Sequence, residues 1–167
     1  MSDDLHLYRV RRATPGDATE LARCRAAMFR VIDIAAPAAH TGHFETYCED
    51  TIAHYLSTGS VVAWLAEASS TGETIGSATM LIFPRLPTPR NPGTVEGYLG
   101  TVFVHERWRR RGIATAVTTA AVAYAHEADL ARVRLHAEPA ARAIYERAGF
   151  VARDNEMEVD LIASNAV

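Results

Sequence analysis

The sequence predicts an α/β fold of the α+β kind: a single domain over residues 1–167 in which one mixed, mostly antiparallel sheet carries helices on both faces. Three observations predict it. Two strand-like apolar runs, residues 60–68 and 74–83, are separated only by Ser69-Ser70-Thr71-Gly72-Glu73, which reads as a hairpin. Further on, a strand leads through a helix to another strand, and such a crossover brings a parallel pair into the sheet. A chain of 167 residues, 49% apolar and 22% charged, is also large enough for one real core and typical of a globular domain.

The elements follow in order. Residues 7–13, LYRVRRA, alternate apolar and basic side chains as a half-exposed strand does. Thr14-Pro15-Gly16-Asp17 makes a turn in which Asp17 is the expected helix N-cap. The next helix carries Leu21, Cys24, Met28, Val31 and Ile32 at helical spacing, an apolar stripe expected to face the core. Ala35-Ala36-Pro37 ends it, and His40 and His43 lie in a loop where solvent exposure is expected. A second helix over residues 44–57 presents Phe44, Tyr47, Cys48, Ile52, Tyr55 and Leu56 on one side. After the hairpin, residues 84–93 hold four prolines and cannot form a central strand, because proline lacks the ladder N–H. Residues 94–100 lead into a central strand at Val102, Phe103 and Val104. A helix then carries Ile113, Val117, Ala120, Ala121, Tyr124 and Ala128 on one face. Residues 132–137 are a short strand, Pro139 opens a helix to about Ala148, and Gly149 caps it. Residues 150–152 and 156–161, with alternating Met157, Val159 and Leu161, are expected to be closing strands.

The junction between the central strand and its helix carries the chemistry. Arg107, Arg109, Arg110 and Arg111 crowd the start of a helix whose dipole already disfavours cations, and Gly112 sits at the changeover. That arrangement suits a multiply charged anion held on backbone N–H groups, with the glycine allowing close approach.

Arg109-Arg110-Arg111-Gly112-Ile113-Ala114 resembles the R/Q-x-x-G-x-G/A motif of the GNAT superfamily of N-acetyltransferases, and residues 141–150, ARAIYERAGF, are similar to its A-x-x-x-Y-x-x-x-G-F block. The two occur in the family's order and separation. The resemblance covers about the last seventy residues well and the first half in outline. It implies the GNAT fold, with the sheet splayed between its fourth and fifth strands, and acetyl-CoA as cosubstrate without a metal. It also implies that Val102, Phe103 and Val104 pair through main-chain groups with the pantetheine arm. Residues Arg110, Arg111, Gly112, Ile113, Ala114 and Thr115 would wrap the pyrophosphate. Arg107 and Arg109 face either the adenosine 3′-phosphate or water. The family's usual asparagine seven residues before the tyrosine is replaced here by Glu138, to which no cofactor role is carried over.

The reaction so implied moves an acetyl group to a primary amine of a small molecule, protein or peptide, by direct transfer in a ternary complex. A lysine-like amine has a pKa near ~10.4, so only about one molecule in a few thousand is neutral at pH 7, and a base must take its proton. Glu96 before the central strand is the first candidate and His136 at the end of the next strand the second. The CoA thiolate, comparable to a cysteine near ~8.5, leaves more easily beside a hydroxyl donor, the role implied for Tyr145. A backbone N–H of the 102–104 strand is the expected oxyanion donor. A non-catalytic CoA-sensing module of the same fold is the alternative. A nucleotide-phosphate binder is disfavoured, since the glycine loop lacks a Gly-Lys-Ser/Thr ending.

Composition bounds the rest. A net charge of −3 argues against a general nucleic-acid partner, and no stretch of eighteen apolar residues or basic-then-apolar leader points to a membrane, so a cytoplasmic protein is expected. Cys24 and Cys48 form no metal-ligand pattern and are expected to be buried thiols. Family habit implies a possible homodimer. The segments 35–44 and 84–93 are expected to shape the acceptor pocket.

Overall fold

The computed structural model describes residues 7–32, 42–153, 155–159 and 161. Five strands run side by side in chain order: β1 (Tyr8–Arg12), β2 (Val61–Ala68), β3 (Thr74–Pro84), β4 (Val95–Val104) and β5 (Val133–Leu135). The first four pair antiparallel and β5 pairs parallel with β4. The parallel pair follows from the crossover through α3 (Ile113–Glu127), as a parallel strand needs a long return.

Helices cover both faces. α1 (Ala18–Ile32) and α2 (Gly42–Thr58) lie on one, where Leu21, Ala22, Cys48 and Ile52 pack with Val61, Ala63 and Leu65 of β2. On the other face α3 lays Ile113, Val117, Ala121 and Ala125, four residues apart, against Val62, Trp64, Ala78, Met80 and Leu99. β2 is buried along its whole length because both faces are covered, so its run VVAWLAEA does not alternate. A short helix, α4 (Arg142–Arg147), ends at Gly149, whose φ of 94° is one glycine adopts freely. Cys24 and Cys48 are free and buried, and burial pushes the Cys24 thiol up to about 11.

Several expectations need correction. No strand forms in residues 150–153, 155–159 or 161, so β5 is the sheet edge among the described residues, and Met157, Val159 and Leu161 stand exposed. Val31 and Ile32 are exposed at the end of α1, the inward stripe being Ala18, Leu21, Ala22, Cys24 and Ala26. Asp17 is not an N-cap: its carboxylate reaches back to accept from the Thr14 N–H and Oγ1, at 2.7 and 2.9 Å, and from Arg11. The helix expected from Pro139 begins as one turn of 3-10 helix over Pro139–Ala141. His43 lies within α2, while His40 and most of the segment 35–44 fall outside the described residues. The proline-rich segment is closed by a bridge between Thr88 and Asn91.

Candidate active site

The site is built where β4 parts from β5. The parallel register runs Gly97↔Val133, Tyr98↔Arg134 and Leu99↔Leu135, and stops there, while β4 continues to Val104. From Gly100 to Val104 the edge of β4 that faced β5 therefore has no strand beside it among the described residues. On its other side β4 stays paired with β3, but the register steps from Thr79↔Thr101 to Met80↔Leu99, leaving Gly100 as the extra residue of a bulge. The bulge sits at the apex of the splay. Val102 and Val104 lie on this open edge, while the Phe103 carbonyl faces Gly76 of β3.

Beyond β4 a single 3-10 turn, Glu106–Trp108, carries the chain into the arginine loop. Arg110 has φ 60° and Gly112 φ 78°, two left-handed residues that turn the backbone into α3. For Arg110 this conformation costs about 1–3 kcal/mol, strain of the kind that collects at ligand sites. Gly112 is the N-cap of α3, no side chain caps that end, and its first turn holds no acid, so the N–H groups around Ile113, Ala114 and Thr115 keep their donors. Arg107, Arg109, Arg110 and Arg111 are all exposed. Arg111 lies over the Trp108 ring at 5.1 Å, Arg109 Nε donates to the Val104 carbonyl at 3.4 Å, and Arg107 stands 3.9 Å from Glu73.

Tyr145 on α4 packs edge-to-face with Phe150, ring centroids 6.0 Å apart, against the α3-side core. Burial raises its phenol above the ordinary value, so the proton stays on, and its hydroxyl has no hydrogen-bond partner among the described residues. A proton-holding hydroxyl with a free valence can act as a donor.

Glu96 is placed differently from its expected role. It is 2% exposed at the closed end of the β4–β5 pair, its Oε2 taken by Arg132 Nε at 2.6 Å and its Oε1 by Arg134 Nη2 at 2.6 Å, with Arg85 Nε 3.3 Å away. Burial pushes this carboxyl up, but the Arg132 and Arg134 guanidiniums outweigh it and hold it below the usual range. Both oxygens are engaged, so the group is a poor proton acceptor. His136 follows the last residue of β5 and is exposed beside the splay.

The sequence reading missed two features. Arg25 on α1 donates from Nη1 to Thr101 Oγ1 at 2.8 Å, just past the bulge. A charged residue on the inward face of an amphipathic helix was the available signal. A cavity of about 1100 Å³ forms a trough along the open edge of β5, lined by Tyr145, His136, Arg134 and Phe150 among others. The arginine loop and residues 102–104 do not line it. No group of three or more His, Cys, Asp or Glu among the described residues could hold a metal ion, and no helix among them is long and apolar enough to cross a membrane.

A mixed sheet parted beside an uncapped helix start defines a class: folds that take an extended, phosphate-bearing ligand between two parallel strands. The acetyltransferase (GNAT) domain family matches residues 35–164, and the chain belongs to that family. Solved structures share the fold. A predicted acetyltransferase from Clostridium acetobutylicum, crystallised with acetyl-CoA, is 24% identical, with 93% of this chain and 97% of that one covered at a TM-score of 0.79. A GCN5-related N-acetyltransferase from Ralstonia eutropha JMP134 is also 24% identical, covering 92% and 98% at 0.73. The ribosomal-protein-alanine N-acetyltransferase of Brucella melitensis biovar Abortus 2308 is 22% identical, covering 93% and 99% at 0.67. No curated protein sequence matches the chain.

Proposed function

We propose that this protein is an acetyl-CoA-dependent N-acetyltransferase that passes the acetyl group directly to a primary amine of a small molecule, protein or peptide in a ternary complex. The observation that carries this reading is the juxtaposition of two unsatisfied backbone surfaces, the open β4 edge from Gly100 to Val104 and the uncapped start of α3 at Gly112. Acetyl-CoA supplies a diphosphate, two amides and a thioester, and these residues fit such a group. The N–H groups from Arg110 to Thr115 bind the diphosphate, with Arg109 and Arg111 adding charge. Val102 and Val104 pair with the amides, and one of their N–H groups donates to the thioester oxygen.

Tyr145 keeps a proton for the departing thiolate, consistent with burial raising its pKa. The amine's proton goes to His136, directly or through water, because Glu96 is occupied by arginines. That same occupation of Glu96 is the observation favouring the second reading, a CoA-sensing module without catalysis.

One experiment separates them. Purified protein is screened over amine classes with release of free CoA thiol as readout, beside calorimetric titration of acetyl-CoA. Transfer to at least one class is expected, with Tyr145→Phe lowering kcat about a hundredfold at unchanged acetyl-CoA affinity. Tight acetyl-CoA binding with no transfer would leave the sensing module standing. Unchanged turnover in Tyr145→Phe would remove the phenol from the mechanism.

A further inference from the structure

The four half-buried arginines of the described chain are not treated alike. Arg11 is paired with Asp17 and Glu67, Arg85 with Glu96, and Arg134 with Glu96 and Glu156. Arg25 has no carboxylate partner among the described residues. Its contacts are the Thr101 hydroxyl at 2.8 Å, the Phe29 ring beneath the guanidinium at 5.0 Å, and the Cys48 thiol, whose upward shift by burial it opposes. Of the acids on α1 and α2, Glu20 pairs with Arg23, Glu45 with Arg23 and Arg30, and Glu49 with the Thr19 hydroxyl, while Asp50 is exposed and makes no ion pair with Arg25. A partly desolvated cation kept without a counter-ion is costly, and packing of α1 does not call for it, since its neighbours on the inward face are Leu21, Cys24 and Ala26.

Its position gives the charge a use. Thr101 directly follows the Gly100 bulge, on the α1 side of the sheet, where β4 has just lost β5. If the thioester runs along the edge from Val104 toward the bulge, its carbonyl end reaches this apex, and an amine attacking it from the α1 side arrives beside Arg25. Arg25 has five N–H donors, of which the Thr101 hydroxyl takes one and the Cys48 thiol another. The remaining planar fork matches a carboxylate. A phosphate would ordinarily draw more than a single guanidinium.

We propose that Arg25 is the specificity-determining residue of the acceptor site and that the acceptor is an amine bearing a carboxylate, of the amino-acid class. This rests on the acetyltransferase reading above. A site built around a hydrogen-bonding charge discriminates strongly against analogues that lack its partner, because the cation is then left unpaired.

The test uses the full chain with acetyl-CoA and matched acceptor pairs, each free amino acid against its carboxamide, including acids with β- and side-chain amines. For the best acceptor, kcat/KM of the free acid is expected to exceed that of the carboxamide by about tenfold or more. Arg25→Gln, which retains a donor for Thr101, is expected to bring that ratio near one while acetyl-CoA affinity stays the same. Arg25→Lys is expected to restore part of the preference. A merely structural Arg25 would change thermal stability without moving the ratio. Equal use of acids and carboxamides by the native protein overturns the proposal, as does an unchanged ratio in Arg25→Gln or transfer confined to amines without a carboxylate. Loss of acetyl-CoA binding in the native protein would sink the acetyltransferase reading itself.

Discussion

Two arginine-rich regions of this molecule put the same side chain to opposite use. At the closed end of the β4–β5 pair, Arg85, Arg132 and Arg134 converge on one buried carboxylate, Glu96, and Arg134 reaches on to Glu156. In the loop before α3, Arg109, Arg110 and Arg111 have no acidic partner among the described residues, and Arg107 stands only distantly opposite Glu73. The first cluster is complete within the chain and fixes β5 against β4 just before they part. The second keeps its charge exposed, as the proposed diphosphate site requires. What an arginine does is thus decided by whether its counter-charge is already folded in.

The comparison breaks most readily at Glu96. Replacing it by glutamine leaves three guanidiniums around a neutral amide, and breaking a buried pair in this way costs about 3–5 kcal/mol, to be read as a fall in the urea midpoint. If Glu96→Gln is instead as stable as the native protein, the buried cluster is not a strut. On the loop side Gly112→Val forces a β-branched residue to the φ of 78° now held by glycine. A stability loss of about 1–2 kcal/mol is expected, with acetyl-CoA affinity by calorimetry falling at least about tenfold as the amides are misaimed.

Acid sharpens the contrast further. Burial raises Glu67 and Glu96, but Arg11 and Arg9 around the first and Arg132 and Arg134 around the second leave both below the ordinary range. The unfolded chain then binds more protons than the folded one between the two values. Stability is fully present above about pH 4.3 and drains as pH falls through the folded values. Glu67→Gln is expected to cost about 1.5 kcal/mol near neutrality and to flatten the acid limb of a pH–stability curve. The smallest effect belongs to Arg107→Ala. Its side chain is 84% exposed and its pairing with Glu73 long, so thermal unfolding should shift by no more than about 0.5 kcal/mol.

The same contrast explains what could be read from the chain alone. The arginine loop was legible because all its parts, strand, Gly112 and helix, lie within a few residues and each leaves a local mark. The hairpin and the crossover were legible for the same reason. The role of Glu96 was not, because its partners Arg132 and Arg134 lie 36 and 38 residues away. Proximity to the central strand suggested a base, and only the folded register reveals a carboxylate already claimed. The alternation of Met157, Val159 and Leu161 suggested a strand, yet those side chains are exposed, since period-two patterning states a face without supplying a neighbour to cover it. Arg25 escaped notice because the apolar stripe around it drew the eye.

Gly100 carries one more consequence. Leu99, Val102 and Val104 all reach the core beneath α3, although strict alternation would turn Leu99 and Val102 to opposite sides. The supernumerary residue resets the parity of everything after it. Deleting Gly100 would turn the buried Thr101 and Phe103 from the α1 side to the α3 side, turn Val102 and Val104 the opposite way, and exchange the two faces of the strand from that point on. A single glycine therefore stands between the half of β4 that is paired with both neighbours and the half that is paired with β3 alone among the described residues.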